Sequence, residues 1–150
     1  MTTVDTPGGT FTISTDPDRL DVSAIHAELS STYWAAGVSR ETVERSIEHS
    51  LCFGLYDPAG RQAGFARLVT DHVTFAWLAD VYVLDAHRGL GLGKALLAAI
   101  VAHPSARAVR RIALRTKDAH GLYERFGFEP ADPALVMERR RPDAVDQPTS

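Results

Sequence analysis

The chain has 150 residues, 45% of them apolar and 23% charged, which is enough to bury one core and is the balance of an ordinary globular domain. Its net charge of −3 excludes the basic surface on which non-specific nucleic-acid binding depends, and its single Cys52 excludes an internal disulfide. The first ten residues have neither the basic start nor the apolar run of a signal peptide, and no stretch approaches the roughly 20 apolar residues of a membrane span, so a cytoplasmic protein without nucleic-acid or membrane partners is expected.

In chain order, residues 1–9 are rich in Thr, Gly and Pro and read as a loose start. Thr10-Phe11-Thr12-Ile13-Ser14 alternates and predicts a strand. Asp16-Pro17-Asp18 turns the chain into a helix over about 20–30, with Val22, Ile25 and Leu29 at helical spacing. A break at 30–37 contains Tyr33 and Trp34, after which Ser39 caps a second helix over about 40–49. Residues 51–56 and 62–69 form a hairpin about the Asp57-Pro58-Ala59-Gly60 turn, and a bend at Asp71-His72 leads into a strand over 74–84.

The most informative stretch follows. The apolar run Val81-Tyr82-Val83-Leu84 passes through Asp85-Ala86-His87-Arg88 into Gly89-Leu90-Gly91-Leu92-Gly93-Lys94, and then into the helix-forming series 95–102. A strand, a glycine loop and a helix N-terminus together make a phosphate cradle, because the first helical turn leaves N–H groups unpartnered and glycines admit close approach. After this helix, His103-Pro104-Ser105 ends it, and 110–116 reads as a strand. A short helix over 119–126 is closed by Gly127, a last strand spans 134–138, and the charged, Pro-containing end from 140 to 150 reads as flexible. The whole predicts one α/β domain, with its core at about 10–139 and a mixed sheet.

Two familiar glycine loops fail here. A P-loop needs Gly where Arg88 stands and a hydroxyl where Ala95 stands; a dinucleotide loop needs Gly where Leu96 or Lys94 stands. Arg-x-x-Gly-x-Gly, filled by Arg88, Gly91 and Gly93, does fit. It resembles the pyrophosphate signature of the GNAT superfamily of acyl-CoA-dependent N-acetyltransferases. A second stretch, Ala119-His120-Gly121-Leu122-Tyr123-Glu124-Arg125-Phe126-Gly127-Phe128, is similar to the family's Leu-Tyr-Glu-x-x-Gly-Phe motif. The resemblance covers about 10–139 and implies the GNAT fold, a mixed, mostly antiparallel sheet flanked by helices, in a short bacterial-type member. One departure is Thr116, where many members carry a cofactor-contacting Asn seven residues before the tyrosine.

The resemblance implies acetyl-CoA as co-substrate and no metal. It assigns the amides of Arg88, Gly89, Leu90, Gly91, Leu92, Gly93 and Lys94 to the diphosphate. The backbone of Val81, Tyr82 and Val83 would pair with the pantetheine arm, and Tyr123 would stand beside the sulfur. A phenol with an ordinary pKa near 10 stays protonated at neutral pH and can protonate a leaving thiolate, which makes Tyr123 the candidate general acid. Asp80 is the leading candidate base, because a carboxylate inside an apolar strand is costly unless paired or functional; Asp71, His72, His120 and a water relay are the others. Tyr33 and Trp34 lie where the family builds a wall of the acceptor site. The scattered histidines lack metal-ligand spacing.

The expected activity is transfer of the acetyl group of acetyl-CoA to a primary amine, with a small molecule as acceptor and direct attack as the mechanism. The rivals are a CoA-binding regulatory module without turnover and a transferase acting on protein lysines or N-termini. Exposed strand edges leave room for a homodimer.

Overall fold

The computed structural model describes residues 1–142. Its elements are β1 (Thr2–Thr6), β2 (Gly9–Ser14), α1 (Val22–Ser31), α2 (Arg40–Glu48), β3 (Leu51–Tyr56), β4 (Gln62–Thr70) and β5 (Ala76–Val83), then α3 (Leu92–Ala102), α4 (Pro104–Ala108), β6 (Ile112–Ala113) and α5 (His120–Glu124). Among the described residues the strands make one sheet in the order β1-β2-β3-β4-β5-β6. All neighbours are antiparallel except β5 and β6, which are parallel because α3 carries the chain from one to the other. This is the mixed, mostly antiparallel sheet that the resemblance implies.

The helices begin where side chains satisfy their first amides. Asp21 accepts from the Ala24 N–H at 3.0 Å, and Ser39 from that of Thr42 at 3.1 Å. Alternation along the strands sends side chains to two cores. On one face Phe53, Leu55, Leu68 and Leu78 pack under α3, which contributes Leu92, Leu96, Leu97 and Ile100. On the other, Phe65 and Tyr82 pack with Ile25 and Leu29 of α1 and Val43 of α2. Each such apolar side chain contributes about 2 kcal/mol by leaving water.

Two irregularities in β5 position the site. Arg67 pairs with Ala79 and Phe65 with Tyr82, so Ala66 faces two residues, Asp80 and Val81. The bulge inverts the alternation: Ala76 and Leu78 belong to the α3 side, whereas beyond it Val81 and Val83 do and Tyr82 faces α1. Asp80 makes this possible with a left-handed φ of 58°. The second irregularity is that β5 and β6 pair only at Ala76–Ile112 and Trp77–Ala113 and then diverge. The strand expected over 110–116 is therefore two residues long.

Four further expectations need correction. The start of the chain is not loose: Thr2–Thr6 is a β-branched strand, and the turn that follows is stapled by Thr6, whose Oγ1 donates to the Gly9 carbonyl at 2.8 Å and accepts from the Gly8 N–H at 3.1 Å. His103-Pro104-Ser105 ends α3 but also starts α4, because Pro suits a first helical position and His103 Nδ1 accepts from the Ser105 N–H at 3.1 Å. The helix expected over 119–126 is regular only at His120–Glu124, with Gly127 at φ 87° closing the turn after it. No strand forms at 134–138: Asp132 accepts from the Ala134 N–H at 2.9 Å and turns the chain, leaving Leu135, Val136 and Met137 exposed. Of the end expected to be flexible, 143–150 lies outside the described residues. Among the described residues no helix is long and apolar enough to cross a membrane.

Candidate active site

A cleft of about 850 Å³ opens where β5 leaves β6. Val81, Tyr82 and Val83 form its floor, and the glycine loop with the start of α3 forms one end. Glu28 of α1 with the 31–34 loop makes one wall, and Asp118 with Ala119, Leu122 and Tyr123 makes the other. Because β4 occupies only one edge of β5, the edge of Val81–Val83 that faces the cleft has no strand partner among the described residues. An extended, amide-containing chain fits such an edge.

The loop is built as the sequence indicates. Gly89 and Gly91 adopt φ of 82° and 76°, and a Cβ at either would meet nothing within 4 Å, so the space before them is open. The first intrahelical bond runs from the Ala95 N–H to the Gly91 carbonyl at 3.1 Å; among the described residues no amide from Gly89 to Lys94 donates to a protein acceptor. Several unspent donors at a positive helix end, with no side chain over them, suit a diphosphate. The exposed Arg88 and Lys94 also line this end, Arg88 resting on Asp85 at 2.9 Å in a surface pair of little energetic weight. Leu90 differs from its neighbours: it does not line the cleft and instead packs against the α3-side core.

Gly91→Val is expected to weaken CoA binding about tenfold or more, since a β-branched residue in left-handed backbone distorts the cradle at a cost of about 1–2 kcal/mol. Calorimetric titration of wild type and variant with CoA measures it, and equal affinities would show that the loop conformation does not matter to the ligand.

Tyr123 is 3% exposed and meets the cleft from α5. Its ring packs edge-on against Phe128 at 5.7 Å, and it also borders a second cavity of about 580 Å³ on the β6 side. Trp34 and Tyr33 contact each other edge-on at 5.0 Å and both line the cleft. Tyr33 lies under Lys117 Nζ at 5.5 Å, so the 31–34 loop reaches across to the segment before α5. Burial, and after it the charge of Asp118, raises the Tyr33 phenol above its ordinary pKa.

Asp80 sits differently from a free base. It is 8% exposed and does not line the cleft. One oxygen accepts from Trp34 Nε1 at 3.1 Å and the other from Arg67 Nε at 2.9 Å, while Arg67 Nη1 also donates to Ser50 Oγ at 3.1 Å. Asp80 therefore ties the bulged strand to the acceptor-side loop and to β4. Each carboxylate oxygen thus carries one hydrogen bond to a side chain outside β5, and the group stands behind the cleft lining rather than in it.

The other candidate bases also lie elsewhere. Asp71 closes its bend by accepting from the Thr74 hydroxyl and the Thr74 and Val73 amides, which hold its pKa well below the usual carboxylate range. His72 Nδ1 contacts Ser105 Oγ at 2.7 Å, and His120 is exposed on the β6-side cavity. Thr116 accepts from the Ala119 N–H at 3.1 Å and so shapes the entry to α5. The acidic cleft residues to which sequence reasoning gave no site role are Glu28, Asp85 and Asp118. Glu28 stands three residues after the buried Ile25 and one before the buried Leu29, at the margin of the buried face, which is the signal that was available. Among the described residues no group of three or more His, Cys, Asp or Glu could hold a metal ion.

Fold and cleft together define a domain in which an uncovered glycine loop at a helix N-terminus and an open strand edge border the same cleft. The acetyltransferase (GNAT) domain model matches residues 48–130. A GNAT-family protein of known crystal structure from Xanthomonas campestris pv. campestris, to which acetyltransferase activity is provisionally ascribed, is 49% identical; the similarity covers 88% of this chain and 94% of that one, with a TM-score of 0.84. A Gibberella zeae protein to which acetyltransferase activity is provisionally ascribed is 34% identical over 138 residues, covering 77% of this chain and 76% of its own. Serotonin N-acetyltransferase 2, chloroplastic, of Oryza sativa subsp. japonica is 34% identical over 126 residues, covering 79% of this chain and 61% of its own. The chain belongs to the GNAT acetyltransferase family.

Proposed function

We propose that the protein is an N-acetyltransferase that moves the acetyl group of acetyl-CoA to the primary amine of a small molecule. The observation that carries this reading is the continuity of one cleft, which runs from the unspent amides of Gly89–Lys94, along the open edge of Val81–Val83, to Tyr123. Acetyl-CoA supplies the activated thioester; the protein supplies its placement. The glycine-loop amides hold the diphosphate, and the β5 edge pairs with the pantetheine amides as an added strand would. The backbone N–H at the Val83 end of that edge stabilises charge on the thioester oxygen.

Attack by the neutral amine forms the N–C bond and breaks the C–S bond. The amine nitrogen releases its remaining excess proton to water, and the Tyr123 hydroxyl gives its proton to the departing thiolate and recovers one from solvent. An amine acceptor is supported by the N-acetylation named for the rice relative, and a small acceptor by the confinement of the cleft between the 31–34 loop and α5. Cytoplasmic location and the absence of nucleic-acid and membrane partners belong to the same reading, as does room for a homodimer at the exposed strand edges.

The test is release of free thiol from acetyl-CoA across a panel of primary amines. Amine-dependent release with formation of the acetylated amine supports the reading. CoA binding with no release from any amine would favour a regulatory module, and release only with lysine-containing peptides would favour protein acetylation.

A further inference from the structure

We propose that two copies of this chain exchange their 134–138 segments, each laid as an added strand on the outer edge of the other's β6, and that the exchanged segment sets the position of Tyr123. The role given to Tyr123 rests on the transferase reading; the pairing of copies stands on separate observations. β6 is the last strand of the sheet, and the edge it turns away from β5 has no strand partner among the described residues. The cavity of about 580 Å³ follows that edge and is lined by every residue from 111 to 116. Ile112, Leu114 and Phe128 give it an apolar surface and are only half-buried. An uncovered strand edge beside an apolar slot is a template for an extended chain.

A matching segment is carried by the same sequence. Leu135, Val136 and Met137 are 81%, 59% and 94% exposed, and three large apolar residues in succession are out of place on a surface unless something covers them. None of the three lines the slot of its own molecule, where residues 128–131 already form one side. Beyond them the chain turns on Asp132, whose side chain accepts from the Ala134 N–H at 2.9 Å and whose carbonyl accepts from the Leu135 N–H at 3.0 Å. The far end of the segment is held by Glu138 on Arg115 at 3.0 Å. Fixed at both ends with its apolar side chains outward, the segment is offered to a second molecule rather than to its own.

The charges agree with this occupant. Arg111, Arg115 and His120 share the lining with Glu124 and Glu129, a mixture that suits a segment bearing both signs better than a ligand of one sign. Glu138 complements Arg115 whichever copy supplies it, and Arg139 beside it is opposite in sign to Glu124 and Glu129. Each copy carries both slot and segment, so the exchange closes about a two-fold axis and stops at two. The consequence for the site comes through Tyr123, which lines the cleft and the slot alike. Side chains filling the slot back Phe128, against which the Tyr123 ring packs edge-on at 5.7 Å. Leu135 and Met137 are therefore positioning residues for the Tyr123 of the other copy.

The experiment measures sedimentation equilibrium and thiol release from the nanomolar to the micromolar range of protein. Wild type is expected to pass from monomer to dimer, with turnover per molecule rising about tenfold or more alongside. The double variant Leu135→Asp, Met137→Asp changes only side chains that a single copy exposes, so it should fold, stay monomeric and remain at the low turnover, with its Kd for CoA nearly unchanged. Adding an excess of Tyr123→Phe protein, whose segment is intact, should raise turnover about fivefold or more above the sum of the two alone, because the segment then acts across copies. Wild type that is monomeric at every concentration, a double variant that still dimerises, or a mixture without gain would each overturn the proposal. Dimers that depend on Leu135 and Met137 but release no thiol with any amine would uphold the exchange and refute the transferase reading.

Discussion

Tyr123→Phe is expected to lower kcat by about a hundredfold or more, the usual contribution of a positioned general acid, while leaving the affinity for CoA unchanged. The substitution is unusually clean here. Tyr123 is 3% exposed and its ring is held edge-on to Phe128, and phenylalanine keeps that packing and the shape of α5. What is lost is the hydroxyl of a residue that lines the cleft. Thiol release under saturating substrates, with a thermal melt of both proteins, separates chemistry from stability. A Tm within about 2 °C of wild type, together with the large loss of kcat, assigns the effect to the proton. Equal turnover by the two proteins would remove Tyr123 from the reaction and leave solvent to protonate the thiolate.

Asp80→Asn is expected to act on stability first. Asparagine tolerates the left-handed φ of 58° and retains an oxygen for Trp34 Nε1, but it removes the charge facing Arg67, whose side chain is 19% exposed. Breaking one side of a largely buried pair costs about 3 kcal/mol, which corresponds to a Tm lower by about 10 °C in a chain of this size. Turnover at low temperature, where the variant is still folded, should fall by less than about tenfold. Adding Arg67→Met should recover part of the stability by removing the orphaned charge, an effect that a catalytic carboxylate would not show. Loss of turnover with an unchanged melt would restore Asp80 as the base.

Much of the molecule was legible in the chain. Both helix caps, the 51–56/62–70 hairpin, the glycine loop and the tyrosine motif depend on neighbours within a few residues, through hydrogen bonds to nearby amides, fixed φ and local periodicity. Strand β1 was missed, because the Thr-, Gly- and Pro-rich composition of residues 1–9 reads as a loose start and its pairing with β2 is what makes it a strand.

What the sequence by itself determined is the order of elements, the two-faced apolar pattern and the conformation of the glycine loop, because these rest on short-range sterics and hydrogen bonding. What only the tertiary structure decided is where β5 is bulged and where β6 leaves it, and with them which carboxylate meets the cleft. Asp80 and Glu28 are both acidic residues beside apolar ones in the chain. Their roles part only when Arg67 and Trp34, distant in sequence, close on Asp80, while the packing of α1 against Phe65 and Tyr82 leaves Glu28 facing open space. Pairing between distant segments sets the local field and solvent access of an ionisable group, and no local pattern encodes it.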